Sequence, residues 1–190
     1  MPEDKYQIIH LDLPNYLLSY FACKIKQTLI HTDNYSLLEI DRFSALGKDI
    51  HKALVPALKP ETLDCKEGLY LKISNYSGNN YKSPRGDTNF LTLEETTKHS
   101  LIEQIKSDFN SNLINYVEGA EFAHMHNGWT RDQKRRGIRK TAIIQFCEKY
   151  KVSFTETNLE SFVKMIQRAQ KNAETLINSK LKKYNQSLSY

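Results

Sequence analysis

The most charged stretch of the chain is residues 131–140, which hold six Lys or Arg side chains and one Asp. The basic residues Arg131, Lys134, Arg135 and Arg139 can share much of one flank of a helix. Guanidinium groups bind phosphate oxygens in a two-pronged fashion, and released counterions favour the complex. The net charge of residues 130–140 is +5, which equals that of the whole chain. This stretch therefore predicts a phosphate-binding surface.

Two amphipathic segments follow the basic stretch. The apolar residues of the first recur at three- and four-residue steps and predict a helix; they are Ala142, Ile143, Phe146, Cys147 and Tyr150. The second carries one apolar face with basic residues elsewhere, and its apolar residues are Leu159, Phe162, Val163 and Ile166. The same pattern predicts that the last helix continues through Ala173, Leu176, Ile177 and Leu181.

The segment Ile144-Gln-Phe-Cys-Glu-Lys-Tyr-Lys-Val152 resembles the first helix and turn of helix-turn-helix proteins from mobile genetic elements, such as plasmids, phages and transposons. In that family an apolar residue often follows the turn, where Val152 and Phe154 stand here. The resemblance implies that residues 138–150 brace the motif and that residues 157–171 lie in the major groove of DNA.

The sequence departs from this pattern at two places. Lys151 stands in the turn where many members have Gly, and Glu156 and Glu160 at the front of the second helix would repel phosphate. The basic stretch is thus the stronger indication of phosphate binding. The predicted nucleic-acid contacts are Arg131, Lys134, Arg135, Arg136, Arg139, Lys140, Lys164 and Arg168.

A catalytic site would use different side chains. His10 and Asp12 lie two apart in a predicted strand and share one face, as would His124 and His126 in an extended segment. On a helix, Glu118, Glu121 and His124 have a spacing that suits metal ligands, and metal-dependent nucleases use such groups. None of these sets completes a catalytic motif, and no Walker loop, Rossmann fingerprint or HExxH occurs. We therefore predict no catalytic residue, metal ligand or cofactor.

Composition sets broader limits. The chain has 190 residues, 39% of them hydrophobic, with a net charge of +5, which favours anionic partners. Its three cysteines form no CxxC pair, so neither a disulfide framework nor a zinc module is predicted. The first residues lack an apolar signal core, and no stretch approaches a membrane span of about 18 apolar residues. We expect a cytoplasmic protein without a membrane partner.

The pattern of elements predicts an α+β fold. Strand patterns cover residues 6–13, 28–31, 35–40 and 68–74, and helix patterns cover residues 15–25 and 40–54, where Pro56 and Pro60 end the helix. Beyond residue 92 the pattern is helical. We predict a mixed domain at residues 1–91 with a small sheet and a possible assembly role, and an all-helical domain at residues 92–190 with the helix-turn-helix-like pair. The loop at residues 75–91 is the candidate linker.

These observations favour a non-enzymatic protein that binds duplex DNA, as a regulator or accessory factor of a mobile element. A homodimer would suit this role, because two copies read two half-sites. The alternatives are a protein-interaction or assembly module without nucleic acid, and a metal-dependent nuclease.

Overall fold

The computed structural model describes residues 6–32, 35–59, 61–63, 67–74, 90–126, 135–153 and 155–187. In chain order its elements are β1 (Tyr6–Leu11), α1 (Asn15–Lys24), β2 (Leu29–His31), β3 (Ser36–Ile40), α2 (Ala45–Ala53), β4 (Leu54–Ala57), β5 (Leu69–Ser74), β6 (Phe90–Leu93), α3 (Glu95–His126), α4 (Arg135–Lys149) and α5 (Glu156–Ser187). Strands and helices mix in the N-terminal part, and helices alone follow. The predicted α+β class is confirmed.

The larger sheet has the strand order β1-β5-β3-β2. Strand β5 pairs antiparallel with β1 and parallel with β3, so that Leu71 lies opposite Ile9 on one side and opposite Leu38 on the other. These three side chains are fully buried, whereas His10, between the buried residues Ile9 and Leu11, is half-buried. The period-two pattern therefore fixes the pairing, since a slip by one residue would turn the apolar side chains outwards.

A second sheet pairs β4 with β6 in antiparallel fashion, and the sequence did not predict it. Pro56 was predicted to end a helix, but α2 ends at Ala53 and Pro56 lies inside β4, opposite Leu91. A two-stranded sheet leaves one side of each strand unpaired. Proline lacks a backbone N–H, so it is tolerated in such an edge strand, and Pro56 is compatible with its place in β4.

The chain divides into two compact units: residues 1–109 with 150–153, and residues 110–149 with 154–190. The division falls inside α3, beyond the predicted boundary at residue 91. Helix α3 is continuous over residues 110–112, where an interruption was considered possible from the sequence. The predicted linker lies outside the described residues except for residues 90 and 91, which belong to β6.

Aromatic side chains join α1 to the first part of α3 in the first unit. The Tyr20 hydroxyl donates a hydrogen bond of 2.6 Å to Asp108, and its ring meets that of Phe109 edge-on at 5.0 Å. The Tyr150 ring also packs against Tyr20, with 5.0 Å between centroids. This contact explains why the residues just after α4 belong to the first unit.

The second unit is built from α4, α5 and the part of α3 after residue 109. Its buried apolar side chains are Leu113, Val117, Ala142, Ile143, Phe146, Cys147, Phe162 and Ile166, and those of α4 and α5 belong to the predicted stripes. Burial, together with the charge of Glu148, raises the pKa of the Cys147 thiol to about 11. The buried members of the α4 and α5 stripes form the core of the helical unit, whereas Leu176 and Ile177 of the predicted α5 stripe are exposed.

Replacing either of two glycines with alanine should change the stability of the protein, in opposite directions at the two positions. Gly68 has a φ of 122°, and an added Cβ would lie 2.6 Å from the Leu11 carbonyl oxygen, so we expect Gly68→Ala to destabilise the protein by about 2 kcal/mol. Gly119 lies in α3 with open space around it, so Gly119→Ala should stabilise by about 0.5–1 kcal/mol. Urea unfolding followed by circular dichroism measures both. Shifts of the same sign would contradict the assigned backbone at one of the two positions.

Candidate nucleic-acid interface

A groove of about 690 Å³ lies in the helical unit between α4 and α5. Its basic residues come from both helices, and besides the buried Arg139 they are Lys140, Lys164 and Lys171. All three lysines are exposed. Glu160 and Glu174 also line the groove, so bases outnumber acids there. The packing of two helices thus collects basic side chains that are up to 31 positions apart in the sequence (171 minus 140).

The solvent-exposed face of α5 continues this charge. Lys164, Arg168 and Lys171 are four and three residues apart, so they lie on one face of the helix. All three are exposed, whereas Phe162 and Ile166 on the opposite side are buried. At about 1.5 Å per residue, Lys164 and Lys171 are about 10 Å apart along the helix axis.

Arg139 was predicted to contact phosphate, but in the structure its side chain is buried at the base of the groove and its guanidinium has internal partners. It is only 6% exposed. Its Nε donates a hydrogen bond of 2.8 Å to Glu121 Oε1, and its Nη2 donates one of 2.8 Å to Gln170 Oε1. Nη2 also lies 2.7 Å from Glu121 Oε1 in an ion pair. Arg139 precedes the buried residues Ala142 and Ile143 by three and four positions, so it lies on the buried face of α4. It therefore joins helices of the unit instead of facing a ligand.

The other predicted contacts fall into three groups. Lys140, Lys164 and Arg168 are exposed, and the first two line the groove. Arg135 and Arg136 occupy the first turn of α4. The remaining two, Arg131 and Lys134, lie outside the described residues, as does Phe154.

Lys171 was absent from the predicted contacts. Its signal in the sequence is its position seven residues after Lys164, which returns to the same face of a helix after about two turns.

The backbone of the turn after α4 can be compared with the helix-turn-helix pattern, in which many members have Gly at the position of Lys151. This residue has a φ of 54°, in the left-handed region that favours glycine. The chain therefore adopts at Lys151 a backbone conformation that glycine would adopt at lower cost. The residue type differs from the helix-turn-helix pattern, while the backbone has the glycine-like conformation.

The residues of the catalytic alternative lie in the first unit and in α3. His10 and Asp12 line a cleft of about 1150 Å³ together with Glu61 and Lys98. His10 Nε2 donates to the Glu67 carbonyl oxygen at 2.9 Å, because a carbonyl can only accept. The two residues thus reach a common cleft, although β1 ends at Leu11 and Asp12 therefore follows the strand in which it was predicted.

Glu61 is the centre of the polar contacts in this cleft. Its carboxylate accepts hydrogen bonds from the His10 backbone N–H at 2.7 Å, from Lys98 Nζ at 2.7 Å and from the Thr92 hydroxyl. Desolvation acts to raise the pKa of Glu61, but the hydrogen bonds from Lys98, Thr92 and His10 and the charge of Lys98 outweigh it, so this pKa is lowered. For Lys98, desolvation lowers the pKa while Glu61 and Glu95 raise it, and the net change is upwards.

The metal alternative based on α3 is not assembled in the described residues. His124 and His126 lie within the helix and not in an extended segment, so two-residue spacing does not place them on one face. Glu121, the middle member of the other set, pairs with Arg139. Within the described ranges, no group of three His, Cys, Asp or Glu residues could hold a metal ion.

The Glu61–Lys98 pair predicts a pH-dependent stability. A carboxylate with a lowered pKa stabilises the fold above its unfolded pKa of 4.5, and this contribution is lost as the pH falls through the folded value. We expect Glu61→Gln to lower the free energy of unfolding by about 1–2 kcal/mol at pH 7 and by less at pH 3. Glu95→Gln is the control, because the Glu95 side chain is 88% exposed and its pair with Lys98 contributes little. Urea unfolding at both pH values measures these free energies. An equal loss of stability for Glu61→Gln at pH 3 and pH 7 would contradict the linkage.

The Arg139 pair predicts a large stability effect in the helical unit. Arg139→Met leaves the Glu121 carboxylate, 14% exposed, without its cation and should cost about 3 kcal/mol. The double change Arg139→Met with Glu121→Leu should recover most of this loss, since no uncompensated charge stays buried. Urea unfolding measures both, with Lys140→Met as the exposed control, expected within about 0.5 kcal/mol of the unchanged protein. If Arg139→Met were as stable as Lys140→Met, the ion pair would not contribute to the packing of the helices.

None of the helices in the described part of the chain combines the length and apolar character needed to cross a membrane. Comparisons of the chain with protein-family models, with curated proteins and with solved structures give no match. A function must therefore be argued from the geometry of the site, in which exposed lysines from α4 and α5 line one groove.

Proposed function

We propose that the helical unit binds duplex DNA through the basic groove between α4 and α5, and that the protein acts without catalysis. The observation that carries the proposal is the convergence of Lys140, Lys164 and Lys171 from two helices on one groove. Arg168 extends this basic surface along α5. Several phosphates spaced along a duplex would attract such a set of charges at once.

The charge state of these residues supports a phosphate ligand. In the described part of the chain, no ion pair engages Lys140, Arg168 or Lys171, and Lys164 is 3.9 Å from Glu160 with both side chains largely exposed. An exposed pair at that distance contributes little, so it opposes binding only weakly. Lysine binds phosphate as a point charge, and displaced counterions favour the complex.

The proposed cellular role follows from the resemblance to helix-turn-helix proteins of mobile elements. Helices α4 and α5 joined by residues 150–155, with the left-handed backbone at Lys151, support a motif of that general kind. We therefore propose a regulator or accessory factor of a plasmid, phage or transposon, acting in the cytoplasm.

The alternative, an assembly module, has its own supporting observation. The helical unit exposes four large hydrophobic side chains, Phe122, Met125, Leu176 and Ile177, at 44–61%. Large exposed apolar side chains favour a protein partner, and a second copy of the chain would suit a protein that reads two half-sites.

The DNA proposal predicts salt-dependent binding that needs the groove lysines. A labelled random duplex of about 25 base pairs should bind the unchanged protein with a Kd of about 1 μM at low salt. Changing Lys140, Lys164 and Lys171 together to Gln should weaken binding at least about tenfold and reduce the slope of log K against log salt by about one unit per lost phosphate contact. Fluorescence anisotropy between about 50 and 200 mM salt measures both quantities.

A matched control removes the same charge elsewhere. Lys26, Lys48 and Lys52 are exposed in the first unit, and changing them to Gln should leave the slope unaltered. Equal losses in the two variants would mean that only net charge matters, and no binding at low salt would reject DNA as the ligand. Light scattering on the same samples gives the oligomeric state, so a dimer that fails to bind duplex would favour the assembly module.

A further inference from the structure

The charges along α5 are unevenly distributed between its N-terminal end and its side. The N-terminal end carries Glu156 and Glu160, which are both exposed. Within α5, no Lys or Arg precedes Lys164. Thr155 accepts a hydrogen bond of 3.2 Å from the Asn158 backbone N–H, so one of the free donors at this helix start is already satisfied. A phosphate approaching the end of α5 would therefore meet carboxylates.

The side of α5 carries more bases than acids, although Glu160 and Glu174 also line the groove. Lys164, Arg168 and Lys171 project from one exposed face over about 10 Å, a length that corresponds to about three base pairs of duplex. Lys140 of α4 lines the groove beside this face. The favourable electrostatic contact is thus available along the helix and not at its tip.

A helix that reads sequence in a helix-turn-helix protein places its N-terminal residues against base edges. Resting on the proposed function, we infer that α5 instead binds DNA along its side, and so contacts the phosphate backbone of any duplex without selecting a sequence. Phosphate contacts fix position and carry no direct sequence information, whereas base contacts in the grooves provide selectivity. The ligand class is accordingly duplex DNA of arbitrary sequence, held by charge.

The first test is selectivity. Unlabelled duplexes of equal length and differing sequence compete with the labelled random duplex, and a pool of random duplexes is put through rounds of selection on the full chain. We expect the competitor concentration that displaces half of the labelled duplex to agree within about threefold for all sequences. The selection should enrich no sequence motif. A selected sequence that binds about a thousandfold tighter would overturn the inference and leave the proposed function standing.

The second test separates the two parts of α5. The side variant changes Lys164, Arg168 and Lys171 to Gln, and the end variant combines Glu156→Gln with Asn158→Ala. The side variant should lose about tenfold or more in affinity and about two to three units of salt slope, while the end variant should stay within about twofold. Circular dichroism confirms that both variants fold.

The outcomes distinguish the two claims. A strong loss in the end variant with an intact side variant would overturn side-on binding while duplex binding persists. Absence of duplex binding by the unchanged protein at low salt would instead reject the proposed function, and the inference with it.

Discussion

The ion pair between Arg139 and Glu121 constrains the helical unit more than any other polar contact described in it. Both side chains are largely removed from water, and Gln170 also binds the guanidinium, so residues of α3, α4 and α5 meet at one point. Burying either charge alone would cost several kcal/mol, and the helices must therefore pack with the pair intact. Because α4 carries Lys140 and α5 carries Lys164, this constraint also determines where the groove lysines stand.

The same packing buries some basic residues of the charged stretch and leaves others exposed. Arg139 and Lys140 are neighbours, yet one is buried in an ion pair and the other is exposed in the groove. Charge density alone cannot distinguish them, and the prediction of Arg139 as a phosphate contact relied on it. The position of Arg139 three residues before Ala142 carries the needed information, because residues at that spacing share a helix face. A reading of the apolar stripe would have assigned Arg139 to the buried side.

Local periodicity accounts for the features that the sequence predicts well. The alternation in β5 and the stripes of α4 and α5 each lie within one element, so the α+β class and most elements can be predicted from them. The pairing of β4 with β6 was missed because each strand has only four residues and needs a distant partner. The contact of Glu61 with Lys98, 37 residues away, leaves no local pattern either. Likewise, Lys140 and Lys171 converge only once the helices have packed.

The groove in the helical unit and the cleft in the first unit differ in how far their charged side chains already have partners. Glu61 accepts three hydrogen bonds and its pKa is lowered, so it stays ionised at neutral pH and is a poor proton donor. Lys98 is held in the same network, which makes these two residues a structural support for the first unit. Lys140 and Lys171, in contrast, are exposed at the groove. An anionic ligand would displace only water and counterions from these two lysines, whereas a ligand of Glu61 or Lys98 must first break internal contacts. This difference in cost favours the groove over the cleft as the site of function.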